Sequence, residues 1–158
     1  MKKIILTLLI LLSISTGTRA QWFVTGSANI GYLKNNFQLA IKPGVGYEIT
    51  DKWAVGLSAG MNMISSDVYA DIEPYVRYNC WNNDMFFFDI KAKGDIIFDS
   101  YLESAQIGLS PSIRYKINKH WQVFGDVGLL GADYFDGDWS FAIGTGTIGI
   151  NTGVIYKF

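Results

Sequence analysis

The stretch Phe86-Phe87-Phe88-Asp89-Ile90-Lys91-Ala92-Lys93-Gly94-Asp95-Ile96-Ile97-Phe98 decides the fold. Wound as a helix, it spreads Asp89, Lys91, Lys93 and Asp95 round the cylinder among Phe88, Ile90 and Ile96, and no apolar face survives. Laid out with a period of two, it sorts completely. Phe86, Phe88, Ile90, Ile96 and Phe98 fall on one side and the four charges on the other. Seven other runs repeat the pattern, over about 22–32, 37–49, 53–63, 68–78, 106–117, 121–130 and 141–158. The run at 121–130 is the weakest, because Phe124 and Leu130 share the polar side with Gln122 and Asp126. In the last run Ile148, Ile150, Val154, Tyr156 and Phe158 stand opposite Thr145, Thr147, Asn151 and Lys157.

Ahead of these runs, Met1-Lys2-Lys3, the apolar segment 4–12 and the small residues ending in Thr18-Arg19-Ala20 predict a secretory signal peptide, 1–20, cut after Ala20. Its apolar middle is too short to span a bilayer, and no cysteine follows the cut as in a lipoprotein. The mature domain is then 21–158. Taking Lys2, Lys3 and Arg19 from the 13 basic residues leaves ten against 14 acidic ones, a formal charge of −4 that argues against nucleic acid as a partner. The single cysteine, Cys80, rules out an intrachain disulfide framework. Aromatics make up 15% of the chain, yet after Ala20 no apolar run approaches the roughly 18 residues of a helical span. Abundant but alternating apolar surface suits a closed barrel, the one β structure that satisfies its own backbone inside lipid. The expected fold is all-β, an eight-stranded antiparallel up-and-down transmembrane β-barrel.

Prolines 43, 74 and 111 fall on the apolar side of even-numbered runs and reveal a repeat. Pro43-Gly-Val45-Gly-Tyr47, Pro74-Tyr-Val76-Arg-Tyr78 and Pro111-Ser-Ile113-Arg-Tyr115 share one template, and Thr152-Gly-Val154-Ile-Tyr156 follows it without proline. Four hairpins are thereby marked. Short turns are expected at 49–53, 79–84 and 117–121, on the periplasmic side, and outward loops at 34–36, 64–67, 99–104 and 133–140. Trp22, Trp53, Phe86 and Trp121 then start the upward strands while Tyr47, Tyr78, Tyr115 and Tyr156 end the downward ones. Together they predict an aromatic belt at one membrane interface.

The eight alternating runs, the Pro-x-Val/Ile-x-Tyr segments and the ending Val154-Ile-Tyr156-Lys-Phe158 resemble the small outer-membrane β-barrel proteins. These are the OmpA/OmpX type and the outer membrane protein β-barrel domain group common in Bacteroidetes. The resemblance covers the whole mature chain. It implies a Gram-negative outer-membrane location, export through the periplasm, and contact with outer-membrane lipids and lipopolysaccharide. It also implies that Tyr156 and Phe158 belong to the C-terminal signal read by the barrel-assembly machinery.

The polar side carries Lys42, Arg77, Lys91, Lys93, Arg114 and Lys116 against Glu48, Asp71, Glu73, Asp89, Asp95 and Asp126. An eight-stranded barrel is only wide enough for its own side chains, and buried charges persist only when paired, so a balanced ionic plug is expected. The expected function is non-catalytic, a structural or surface-contact role. A small-solute, porin-like channel is the alternative, and a lipid-modifying barrel enzyme a more distant one. A soluble, lipocalin-like binder would exchange the two faces. His120, the only histidine, sits in a predicted turn with Gln122 two residues on, which reads as an interfacial residue rather than a catalytic one. Gly144-Thr-Gly146-Thr-Ile-Gly149 matches a dinucleotide fingerprint but lies inside an alternating run, so no cofactor is expected. Asp133, Asp136 and Asp138 are candidates for a divalent cation, against the plainer reading of solvated loop acids.

Overall fold

A computed structural model of the chain describes residues 21–33, 36–64, 67–98, 103–135, 138–143 and 150–158. The predicted signal peptide, Ile148 and the segment 144–149 with its glycine fingerprint lie outside the described residues. The alternating runs become strands: β1 Gln21–Leu33, β2 Asn36–Glu48, β3 Trp53–Ile64, β4 Asp67–Asn82, β5 Phe86–Phe98, β6 Glu103–Lys116, β7 Trp121–Val127, β8 Leu130–Phe135, β9 Asp138–Ile143 and β10 Ile150–Lys157. They make eight staves. β7 and β8 both pair with β6, one above the other, while β10 pairs with β7 and β9 with β8.

Closure is visible in the register. Starting at Phe88 on β5, paired residues lead through Ile113, Gly125, Thr152, Ala28, Ile41, Met61 and Ala70 and return to β5 at Phe98, ten residues above the start. A stagger of ten at ~3.3 Å per residue, over eight staves ~4.8 Å apart, tilts the strands by about 40°. At that tilt the rise from Trp53 to Met63, both outward on β3, is about 25 Å, the height of an apolar barrel band.

Trp22, Ile41, Leu57, Met61, Phe98, Ile107 and Ile113 are all exposed on the outer face, whereas Asp71, Asp89, Arg77, Arg114, Ser110 and Ser112 are buried inside. The charges therefore line the interior, and the exchanged arrangement of a soluble lipocalin-like binder does not occur.

The three prolines are exposed on the outer face, where the ladder is already broken or one-sided. Pro43 pairs with Gly26 and Pro74 with Leu57, each on one flank only, and Pro111 lies opposite the break between β7 and β8. A residue without an N–H is tolerated there because no ladder bond is lost.

Two bulges correct the expected pattern. Between Ser112↔Asp126 and Leu109↔Leu130, three steps on β6 oppose four on its partner, and Gly128 absorbs the extra residue at φ 63°. The outward face therefore changes parity: Leu130, placed on the polar side by simple alternation, is exposed. The last run is likewise two strands, β9 with an exposed outward Phe141 and β10 with outward Val154 and Tyr156. The second bulge lies at Cys80, between Asn79↔Asp89 and Trp81↔Phe88, and carries β4 to Asn82. The expected turn at 79–84 thus contracts to Asn83, Asp84 and Met85. Strands also reach into the expected outward loops, with Asn36, Ile64, Asp67, Glu103, Asp133 and Asp138 all in strands.

Candidate functional site

Inside the barrel the charges form three layers, and the end bearing Gln21 and Phe158 is taken as the lower one. In the lower layer Asp89 is fully buried and accepts from Asn79 Nδ2 at 2.7 Å, from Arg114 Nη2 at 3.0 Å and from Arg114 Nε. Arg114 Nη1 donates to Gln122 Oε1 at 2.8 Å, and its guanidinium lies 4.6 Å from the Phe87 ring centre. Arg77 donates to Glu48 Oε1 at 3.0 Å and covers Phe23 at 5.1 Å, while Lys157 spans both Glu48 oxygens, at 2.6 Å from Oε1 and 2.8 Å from Oε2. The middle layer is Lys91, 2.8 Å from Asp126 and 4.2 Å from the centre of the Phe124 ring. Asn151 adds a bond to Asp126 at 3.1 Å. In the upper layer Lys42 gathers Asp71, Glu73 at 3.3 Å and Asp95 at 3.0 Å, and Lys93 shares Glu73 at 3.3 Å.

Eleven of the twelve charges expected in this network are in it. The exception is Lys116, which lies exposed at the end of β6 with no ion pair among the described residues. Alternation gave it inward parity, but it stands beyond the level where the lumen is enclosed. Lys157, on the polar side of the last run, takes the sixth cationic place, so the described interior still balances six against six.

Among the described residues, three fully packed aromatics also occupy the lumen: Phe23, Tyr75 and Phe124, all buried. Each ring lies over a glycine of an adjacent strand, Phe23 over Gly46, Tyr75 over Gly56 and Phe124 over Gly153, in the space a Cβ would need. Sequence alternation does not identify these rings; the strand-interior glycines are the signal that could have found them, since a missing side chain marks close approach by a neighbour. Charge pairing and ring packing together fill the barrel with its own side chains.

Outside, the aromatic belt forms as four directly opposed pairs. Trp22 faces Tyr47 at 5.1 Å between ring centres, Trp53 faces Tyr78 at 4.7 Å, Phe86 faces Tyr115 at 5.0 Å and Trp121 faces Tyr156 at 5.0 Å. Phe158 stacks edge-on against Tyr156 at 5.3 Å. The bulge at Cys80 adds Trp81, a ring that sequence alternation had left in a turn.

Among the described residues, the remaining candidates are placed as follows. His120 Nδ1 lies 2.9 Å from the Lys157 carbonyl and its ring stacks on Tyr156, so it seals the end of β10. Cys80 is exposed and free. Asp138 is exposed at the start of β9, whereas Asp136 and the Asp133 side chain lie outside the described residues.

No family model matches the chain, and no curated protein matches it. Among solved structures the chain is similar to a de novo designed barrel described as "Solution NMR structure of de novo designed TMB2.3". The TM-score is 0.55 at 12% identity, over 90% of this chain and 98% of that one. A second, described as "De novo design of transmembrane beta-barrels", has a TM-score of 0.48 at 12% identity, over 86% and 95% of the two chains. The chain has the fold of an eight-stranded transmembrane β-barrel.

Proposed function

We propose that the protein is a non-catalytic integral barrel of a Gram-negative outer membrane, with a plugged lumen and a structural or surface-contact role. The observation that carries this reading is the interior of six paired cations and six paired anions around three buried rings, beneath an apolar outer face. Buried charges held this way are committed to one another, and the rings occupy the path a solute would take. Export with cleavage after Ala20, insertion by the barrel-assembly machinery through Tyr156 and Phe158, and lodging among lipopolysaccharide and phospholipid belong to the same reading.

Planar-bilayer recording of the purified protein tests the plug. No single-channel steps above the bare bilayer are expected, and reproducible steps would replace this reading with a porin-like channel. N-terminal sequencing of membrane-extracted protein is expected to begin at Gln21. Lipopolysaccharide incubated with the protein should keep its acyl pattern by mass spectrometry; a changed pattern would make the barrel an enzyme.

A further inference from the structure

The interior charges are not spread evenly round the lumen. Eight of the twelve stand on β4, β5 and β6, whereas every inward position of β1 and β3 is uncharged. Along β1 the inward Thr25, Ser27 and Asn29 climb about 10 Å, and all three are half-buried rather than buried. So are Gly44 beside them on β2 and Asn151 and Gly153 on β10. Small uncharged side chains thus leave one wall of the lumen within reach of water.

Exposure along the barrel axis shows where that reach ends. The Asp95 and Lys93 side chains of the upper layer keep 18% and 15% of their surface, and those of Arg77, Arg114 and Asp89 only 3%, 4% and 0%. At the lower edge Glu48 and Lys157 recover 16% and 13%. All eight staves contribute a buried residue to the dry level. Phe124, Ile155, Phe23, Gly46 and Ala54 stand side by side on β7, β10, β1, β2 and β3, and Arg77, Asp89 and Arg114 complete the ring. At the strand tilt given above, these eight lie within about 4 Å of one height. One half of this septum is apolar and the other ionic, and the uncharged wall stands over the apolar half. Phe23 is two residues below Thr25; its ring covers Gly46 and is itself covered by Arg77 at 5.1 Å.

We infer that the lumen holds a blind inlet for water and small ions along β1, entered past the upper charge layer, and that the Phe23 ring is the seal that closes it. The inference deepens the plugged-lumen reading and rests on it. An apolar constriction stops ions by shedding water, so a ring there is a barrier in its own right. The ionic half is closed differently, by charges that hold one another. Removing the Phe23 ring joins the inlet to the partly exposed Glu48 and Lys157 beneath it, with the ion pairs of β4, β5 and β6 still in place.

Planar-bilayer recording in potassium chloride tests the seal. The unmodified protein is expected to be silent, Phe23→Ala to show single-channel steps, and Phe23→Leu, which keeps an apolar group over Gly46, to stay silent. A compact, heat-sensitive gel band shows which variants hold the barrel. Silence in Phe23→Ala with that band present overturns the inference, and so do equal steps in Phe23→Leu. Labelling tests the inlet independently. In Cys80→Ser protein, a small charged methanethiosulfonate added to the folded barrel is expected to modify Thr25→Cys. It should spare Ser112→Cys, at a fully buried position on β6, until the sample is heated. Equal protection of the two overturns the inference even where Phe23→Ala does not fold. Steps in the unmodified protein would refute the plugged-lumen reading instead.

Discussion

Asp89 is the anion shared by the two guanidiniums of the lower layer. It is fully buried and faces two guanidiniums, Arg114 through two bonds and Arg77 at 4.0 Å. Asp89→Asn keeps the shape and removes the charge, leaving both cations buried without it. Breaking a buried pair on one side costs about 3–5 kcal/mol. A drop of that size in the urea-unfolding free energy in micelles is expected, and a change below ~1 kcal/mol would show that water already screens the layer. Two lysines supply a matched comparison at this scale. Lys157→Ala strips one of the two cations from Glu48 and should cost about 2 kcal/mol, while Lys116→Ala, at an exposed site, should stay within ~0.5 kcal/mol by the same assay. Comparable losses would mean that Lys116 reaches the network after all. Gly56 probes the ring packing. A valine there needs the space Tyr75 occupies, so Gly56→Val should destabilise by about 1–3 kcal/mol, and pairing it with Tyr75→Ala should recover most of the loss.

At the scale of the strand, the legible and the illegible separate along one line. Side-chain parity is a local property of extended backbone, so Phe86 to Phe98 sorted correctly from sequence, as did the four tyrosines and their opposed rings. A bulge is a relation between two strands, and nothing local announces that Gly128 rather than Gly125 takes the extra residue. That is why Leu130 was placed on the wrong face and Trp81 left in a turn. Lys157 was missed for a related reason: parity says which side a residue faces, not whether the barrel is closed around it at that height. The bulge at Gly128 is also the element most open to test. Its φ of 63° is left-handed, where a Cβ costs about 1–2 kcal/mol, although open space surrounds the site. Gly128→Ala should therefore lower stability by that amount through the backbone alone, while Gly125→Ala, also in open space but without the left-handed φ, should be near neutral. Equal effects would remove the bulge as the reason for the parity change. The Ser110 hydroxyl, which donates to the Gly128 carbonyl at 2.7 Å, helps fix that conformation.

For the whole molecule, what matters is that the sheet closes on itself, not the order in which the chain supplies the strands. β1 and β10 close the barrel through eight paired positions, from Phe23↔Lys157 to Ile30↔Ile150, and the ends meet. The Gln21 side chain donates to the Phe158 carbonyl, and the Phe158 amide to the Trp22 carbonyl at 3.3 Å. A chain joined from Phe158 to Gln21 by a short flexible linker and opened in the polar turn between Asp51 and Lys52 should therefore refold to a barrel. Gel mobility of the unheated sample is the measurement: a compact, heat-sensitive band like that of the parent is expected. Ending the chain before Ile150 is the opposite case, since it strips partners from β1 and β7 together. Unpaired backbone groups in lipid cost several kcal/mol each, so that variant should show no compact band at all. A permuted chain that fails while the truncated one folds would mean that strand order, and not closure, holds this barrel together.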